Sequence, residues 1–296
     1  MPNDTILVTG ATGKQGGATA RRLLAAGVPV RALVRDAATP GALELASAGA
    51  ELAVGDLDDR DSVSAAVTDV RAVFAVPPAA YGAGGWDIDL EAHRGERLVE
   101  ACRAAGVDQF VFTGVASFEQ PGSWGAEGKR RIEAAVAASG MRWTVLRPVR
   151  FMENYFLPKG AVEGIEDGVH RHLFPADRPI QVIAVDDIAA FAVLVLADPD
   201  RFHGHTYELA GDALTMPAAA AAIARATGTA LRYEEIGESE ALALGPEIAA
   251  VWRLSRSGRG WHADIPALRE LLPGLRTFET WLSETGAARL KSLMNG

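Results

Sequence analysis

Thr5-Ile6-Leu7-Val8-Thr9-Gly10-Ala11-Thr12-Gly13-Lys14-Gln15-Gly16-Gly17 is an apolar β-type run that breaks into glycines three residues apart and then enters a helical pattern. A strand that turns sharply into a helix around a pyrophosphate has no room for side chains at the turn. Gly10 permits the tight turn, Gly13 lets the backbone approach the phosphates, and Gly16 lets the helix pack close to the strand. Ala11, Thr12, Lys14 and Gln15 are the residues between them, and the helix they open, over 16–26 with Gly27 as its stop, turns free N–H groups toward an anion. Glycine-rich turns also serve purely structural connections, so the setting decides: this one follows a strand, opens a helix and begins an α/β alternation.

Outward from the turn, the alternation continues. Strands are expected at Val30–Val34, Glu51–Val54, Arg71–Val76, Gln109–Thr113 and Trp143–Leu146, with helices between them from after Asp58 to about Val70, at 88–105 and at 126–139. The pattern predicts an α/β fold, a doubly wound parallel sheet of Rossmann type over 1–150. The Gly-rich stretch 81–87 is expected to be a loop without a fixed place, and Pro77-Pro78 to stop the fourth strand. Beyond Pro148 the rhythm degrades. Residues 151–179, rich in Pro, Gly, His and aromatics, read as irregular cover. Residues 151–296 are expected to form mainly a smaller α/β substrate lobe, with about 181–210 returning to the main sheet: a short strand over 181–184, a helix over 185–197 and the strand 205–209 that rejoins the sheet.

The end of the second strand chooses the cofactor. An acid there holds a ribose 2′-hydroxyl, whereas a basic residue accepts a 2′-phosphate. Arg35 therefore favours NADP(H), and Asp36 is expected to point away or cap the next turn. At the carboxyl end of the third strand, Asp56 is a candidate acceptor for the adenine amino group, with Leu57 beside it, while Asp58 suits a helix N-terminal acid better. Val76 and Pro77 end the fourth strand, where the ribose and nicotinamide belong.

Composition limits the alternatives. The chain has 296 residues, 49% of them hydrophobic, enough for a large core. Lys and Arg number 29 against 38 Asp and Glu, and the net charge of -9 argues against a direct nucleic-acid surface. The single Cys102 allows no internal disulfide and reads as a small core residue, so a reducing cytoplasm is the expected location. The longest apolar run, 188–197, is too short to span a bilayer. His170/His172 and His203/His205 fall on one face of a strand, but without a third ligand nearby no metal site is expected. No Gly-x-Ser-x-Gly elbow is present.

Taken together, Gly10 to Gly17, Val30 to Arg35, Lys129 to Glu133, Leu146-Arg147-Pro148, Phe151-Met152-Glu153-Asn154-Tyr155, Ile183 to Ile188 and Thr277 to Leu282 resemble the NmrA-like family of atypical short-chain dehydrogenases. The resemblance extends over essentially the whole chain. It implies a Rossmann domain that binds NADP(H) and a small lobe that shapes a substrate pocket. Cofactor contacts carry over to Gly10 through Gly16, Arg35, Asp56, the Val76-Pro77 strand end, Lys129 and the Glu153-Asn154 segment. The family contains NADPH-dependent reductases, some acting on quinones and dyes, and dinucleotide-binding redox sensors without turnover.

Ordinary short-chain dehydrogenases place a Tyr four residues before the Lys, so that both share a helix face and the ammonium lowers the phenol pKa. Here Lys129 is preceded at that position by Gly125. Ser117 stands where those enzymes keep a substrate-orienting hydroxyl, and Tyr155 is a candidate substitute acid or else a core aromatic. Two functions compete: a reductase of a quinone-like, enone or carbonyl small molecule, and a non-catalytic NADP(H) sensor that regulates a protein partner. The missing Tyr favours the sensor. Lys129, together with Trp124, Phe151, Tyr155, Phe156 and Phe174 as an apolar lining, favours an enzyme. A nucleotide-sugar epimerase would need the Tyr as its base. A monomer or homodimer is expected.

Overall fold

The structure is a computed structural model that describes residues 4–76, 81–82, 85–116, 126–157, 162–258 and 260–295. Two compact units alternate along the chain: the first takes 1–115, 125–147 and 188–207, the second 116–124, 148–187 and 208–296.

The first unit carries the parallel sheet. Its strands are Ile6–Val8 (β1), Val30–Val34 (β2), Glu51–Val54 (β3), Ala72–Ala75 (β4), Gln109–Thr113 (β5), Arg142–Pro148 (β6) and His205–Leu209 (β7). They lie in the order β7-β6-β5-β4-β1-β2-β3. The pairs from β6 to β3 are all parallel, with Ile6 opposite both Val30 and Ala72. The interior strands β1, β4 and β5 are buried at every residue, as parallel strands covered on both faces must be. The chain starts at the middle of the sheet, builds outward through β2 and β3, and then resumes on the other side of β1 with β4. That reversal opens a crevice at the carboxyl ends of β1 and β4.

The crossover helices are Lys14–Ala25 (α1), Pro40–Ser47 (α2), Arg60–Val67 (α3), Ile88–Ala104 (α4), Glu127–Ala137 (α5) and Val185–Ala197 (α6). Gly27, at φ 75°, follows α1 in the left-handed conformation that ends helices. One face of the sheet is closed by Leu7, Val73, Phe110 and Phe112 against Leu98, Cys102, Ile132 and Val136 from α4 and α5. Cys102 is the small core residue anticipated, and burial pushes its thiol pKa far up. Gln109 donates from Nε2 to the Val195 carbonyl at 2.7 Å, anchoring α6 beneath β5. The stretch expected to be an unplaced loop forms a short antiparallel pair, Tyr81–Gly82 with Gly85–Trp86.

The second unit holds two three-stranded sheets, one of Arg150–Phe151, Ile180–Ile183 and Asp212–Leu214, the other of Ile165–Glu166, Val169–His172 and Arg232–Glu235. Two expectations are corrected here. Ile180–Ile183 does not return to the main sheet but pairs with Arg150–Phe151 and Asp212–Leu214, so only the later part of 181–210 rejoins it. Residues 165–172 are not irregular: Asp167 and Gly168, at φ 48° and 70°, make the primed two-residue turn whose twist matches a hairpin, and Ile165 pairs with His170. Helix Met216–Thr227, capped by Thr215 and ended by Gly228, packs into a core of Met152, Tyr155, Phe174, Phe278 and Trp281.

No helix among the described residues is long and apolar enough to cross a membrane.

Candidate functional site

The carboxyl end of β1 shows why glycines occupy the turn. Thr9 is fully buried; its N–H donates to the Phe74 carbonyl and its Oγ1 accepts from the Val76 N–H at 2.8 Å, fastening the ends of β1 and β4 side by side. Gly10 then takes φ 58°, and a Cβ on it would lie 2.9 Å from the Val76 carbonyl oxygen. A Cβ on Gly16 would lie 2.3 Å from the Gly10 carbonyl oxygen, and one on Gly13 3.1 Å from the same atom. Gly13 stands at the N-cap of α1 and offers no side chain to the first N–H groups, and no acid sits in the first turn. Neither a capping side chain nor a first-turn acid therefore takes up these donors, and with the positive helix end they suit an anion.

Flanking residues hold the turn in shape. Ala11 is buried, whereas Thr12 and Lys14 are exposed. Gln15 Oε1 accepts from Thr113 Oγ1 at 2.6 Å, which ties α1 to the end of β5. Thr9 and Thr113 escape a motif reading because each looks like an ordinary β-branched strand residue. Their signal is a hydroxyl at the carboxyl end of a strand whose other residues are apolar.

At the end of β2, Arg35 is exposed and has no hydrogen-bond or ion-pair partner among the described residues. Asp36 caps, as expected: its Oδ1 accepts from the Ala38 N–H at 2.8 Å and its carbonyl from Thr39 Oγ1. At the end of β3, Asp56 Oδ1 accepts from the Asp58 N–H at 2.9 Å, and Leu57 is buried with its carbonyl taken by Arg97. The acid that caps α3 is Asp59, not Asp58. Asp58 pairs instead with Arg94, whose hydrogen bond holds the carboxyl below its ordinary pKa. Val76 lies at the crevice; Pro77 and Ser117 fall outside the described residues, as does Trp124.

Lys129 stands in the first turn of α5, but it is not a solvated helix lysine. Its side chain is 14% exposed and its ammonium donates to Oε1 of Glu91, which is fully buried in the first turn of α4. Glu91 was invisible as a site residue because an acid in a helix's first turn has an ordinary electrostatic explanation. The available signal was Gly95, a glycine inside a helix, where it costs stability unless another backbone comes close.

The second unit's candidates lie in its interior. Glu153 is turned inward: Oε2 accepts from the Val185 N–H at 3.0 Å and Oε1 from Trp281 Nε1 at 3.0 Å, and burial raises its pKa against those bonds. The carboxylate braces that unit's core through these two bonds. Asn154 is half-buried and its carbonyl accepts from the Leu157 N–H. Tyr155 is 2% exposed, its ring 4.9 Å from that of His170 and 5.5 Å from that of Phe278, and burial pushes the phenol to about 12. Such a phenol is a core aromatic and a poor acid near neutral pH. Phe174 shares this core.

His170 and His172 are buried on one face, as their spacing implied, but among the described residues no group of side chains could hold a metal ion. His172 is half of a polar cluster: Nε2 meets Glu163 at 3.3 Å, while Arg150 grips Glu163 through both Nη atoms at 2.8 and 2.9 Å. Asp187, in the first turn of α6, accepts from the Arg276 backbone N–H at 2.9 Å and pairs with its guanidinium.

Comparison with known proteins agrees with this geometry. The NmrA-like family model matches residues 2–251. A (4-alkanoyl-5-oxo-2,5-dihydrofuran-3-yl)methyl phosphate reductase of Streptomyces griseus is 32% identical over 96% of this chain and 98% of its own length. An NAD(P)H azoreductase of Xenophilus azovorans is 32% identical over 78% of this chain and 77% of its own. Among solved structures, the NADPH-dependent quinone oxidoreductase of Escherichia coli complexed with NADPH superposes with a TM-score of 0.76 at 26% identity, covering 94% of this chain and 98% of that one. With its sheet order, its glycine turn and these relatives, the chain belongs to the NmrA-like family.

Proposed function

We propose that the protein is an NADPH-dependent reductase of a small conjugated acceptor, a quinone, an enone or an activated carbonyl compound. The observation that carries the reading is the turn after β1, where a Cβ at Gly16 would strike the Gly10 carbonyl at 2.3 Å and the α1 N-terminus is left uncapped. A tight glycine turn that leads into an uncapped helix N-terminus suits a pyrophosphate. Arg35, without a partner among the described residues at the end of β2, fits a 2′-phosphate, and the capping role of Asp36 removes the competing acid. Asp56 keeps one carboxylate oxygen for an adenine amino group.

When bound, the reduced nicotinamide supplies a hydride to the acceptor. The chain's work is to hold and orient. The turn fixes the pyrophosphate, Arg35 the adenosine end, and Lys129 a ribose hydroxyl or an acceptor oxygen. With Gly125 in place of the usual Tyr and the Tyr155 phenol buried, water is the proton source for an acceptor oxygen that needs one. Acceptors whose reduced form takes protons readily from solvent suit such a site. The named relatives support this class: one reduces an alkanoyl-bearing oxo-dihydrofuran, another is a quinone oxidoreductase. A cytoplasmic location belongs to the same reading, consistent with one buried, unpaired thiol.

The test is NADPH oxidation by the purified protein with a panel of quinones, enones, azo compounds and dyes. Turnover with at least one class is expected. Tight NADPH binding with no turnover across the panel would leave the sensor reading, which the missing Tyr favours.

A further inference from the structure

We propose that Glu91 is the positioning residue for Lys129, fixing its ammonium for contact with the bound dinucleotide; this rests on the NADPH reading above. Two glycines bring the helices together. A Cβ on Gly95 of α4 would fall 2.4 Å from the Ile132 side chain, and one on Gly128 of α5 would fall 2.9 Å from the Ile88 carbonyl oxygen. Larger residues at either position would part α4 from α5. The close approach places the fully buried Glu91 beside Lys129 at the N-terminal ends of both helices.

The second carboxylate oxygen of Glu91, Oε2, is buried and has no hydrogen-bond partner among the described residues. Lys129 therefore carries the counter-charge for Glu91, and drawing the ammonium away would strand a carboxylate out of water. A lysine stem is flexible, with four rotatable bonds, and holding its end in one place costs conformational entropy. Here that cost is met during folding, and the ammonium starts from a fixed position.

A merely structural role, stitching the two helices, is already filled. Arg131 bridges from α5 to α4 at the surface, to Glu96 at 3.1 Å and Asp89 at 2.7 Å, where no charge needs burying. A second bridge made of a buried acid and the one lysine that the family places at the cofactor calls for another purpose.

The experiment is a double-mutant cycle on NADPH affinity, read by nicotinamide fluorescence on the full-length protein with Glu91→Gln, Lys129→Met and the two combined. Glu91→Gln and Lys129→Met are each expected to weaken NADPH by about tenfold, while Glu91→Gln adds less than about twofold on top of Lys129→Met. Glu91→Asp, which keeps the charge, should stay within about threefold of the parent. An equal loss from Glu91→Gln in both backgrounds, or parent-like affinity in either single variant, overturns the proposal. If Glu91→Gln does not fold, Glu91→Met, which also removes the charge, read with and without Lys129→Met supplies the same cycle. A parent that binds no NADPH refutes the cofactor reading itself, before any variant is compared.

Discussion

Arg35 and Asp36 occupy adjacent positions with opposite charges, and their partners separate their roles. Asp36 accepts from the backbone two residues on, whereas Arg35 stands exposed at the strand end. A guanidinium on a phosphate is a charge-assisted contact of about 1.5–3 kcal/mol. Arg35→Ala should therefore weaken NADPH by about tenfold or more and leave NADH within about twofold, measured by titration of each cofactor. Equal losses for the two would remove Arg35 from the 2′-phosphate site. At this scale the sequence is most informative where chemistry is local. Gly10, Gly13 and Gly16 are legible because a turn is built from neighbours, and Asp36 because an Asx cap spans two residues. Glu91 and Lys129 are 38 positions apart, so no local pattern joins them.

Among the elements, the strand Val169–His172 carries a pH dependence. His170 is fully buried between Tyr155 and Tyr233, and neither ring nitrogen has a partner among the described residues. Burial, reinforced by the charge of Arg150, pushes its pKa down to about 3, and burial also lowers that of His172 despite its bond to Glu163. Burial alone would raise Glu163, but Arg150 and His172 outweigh it and hold the carboxyl at about 2. All three groups bind protons more readily in the unfolded chain. Stability from His170 is complete above about pH 6.5 and falls as the pH drops toward 3, at about 1.4 kcal/mol per pH unit, and His172 acts in the same direction. Glu163 adds to the loss below about pH 4.5, in the same direction. Urea unfolding of the parent followed from pH 7 to 4 should show this slope, and His170→Phe should flatten it. At pH 7 that variant should hold or gain about 1 kcal/mol, because it removes two unpartnered nitrogens. A parent whose stability is level over this range would contradict the placement of the cluster. The hairpin holding His170 was legible after all, since Asp-Gly is a strong turn signal. What hid it was the surrounding Pro, Gly and aromatic composition, which reads as loop.

For the whole molecule, alternation of strands and helices made the first unit readable almost residue by residue, because each crossover has its own hydrophobic period. The second unit resisted: its sheets are built of strands of two to four residues, too short for alternation to register. The same brevity hid where Ile180–Ile183 would pair. The two units also share the chain in alternation, so a cut at the apparent boundary divides neither cleanly. A fragment of residues 1–150 would lack β7 and residues 188–197 of α6, leaving β6 as an open edge. Size-exclusion chromatography of that fragment should show concentration-dependent association, and a monodisperse, cooperatively folding fragment would contradict it.

The place of β7 also sets a waiting time during synthesis. Pro148 ends β6 and His205 begins β7, a gap of 57 positions. At 5–20 residues per second the ribosome takes roughly 3–11 s to cross it. Throughout that interval the β6 edge has no neighbour, and its middle, Trp143 to Leu146, is the apolar kind of segment that pairs with strangers. Arg142 at one end and Arg147-Pro148 at the other are a charge and a missing backbone donor placed where a foreign strand would have to dock. A foreign strand seeking that edge would meet these flanking residues first until β7 completes the sheet.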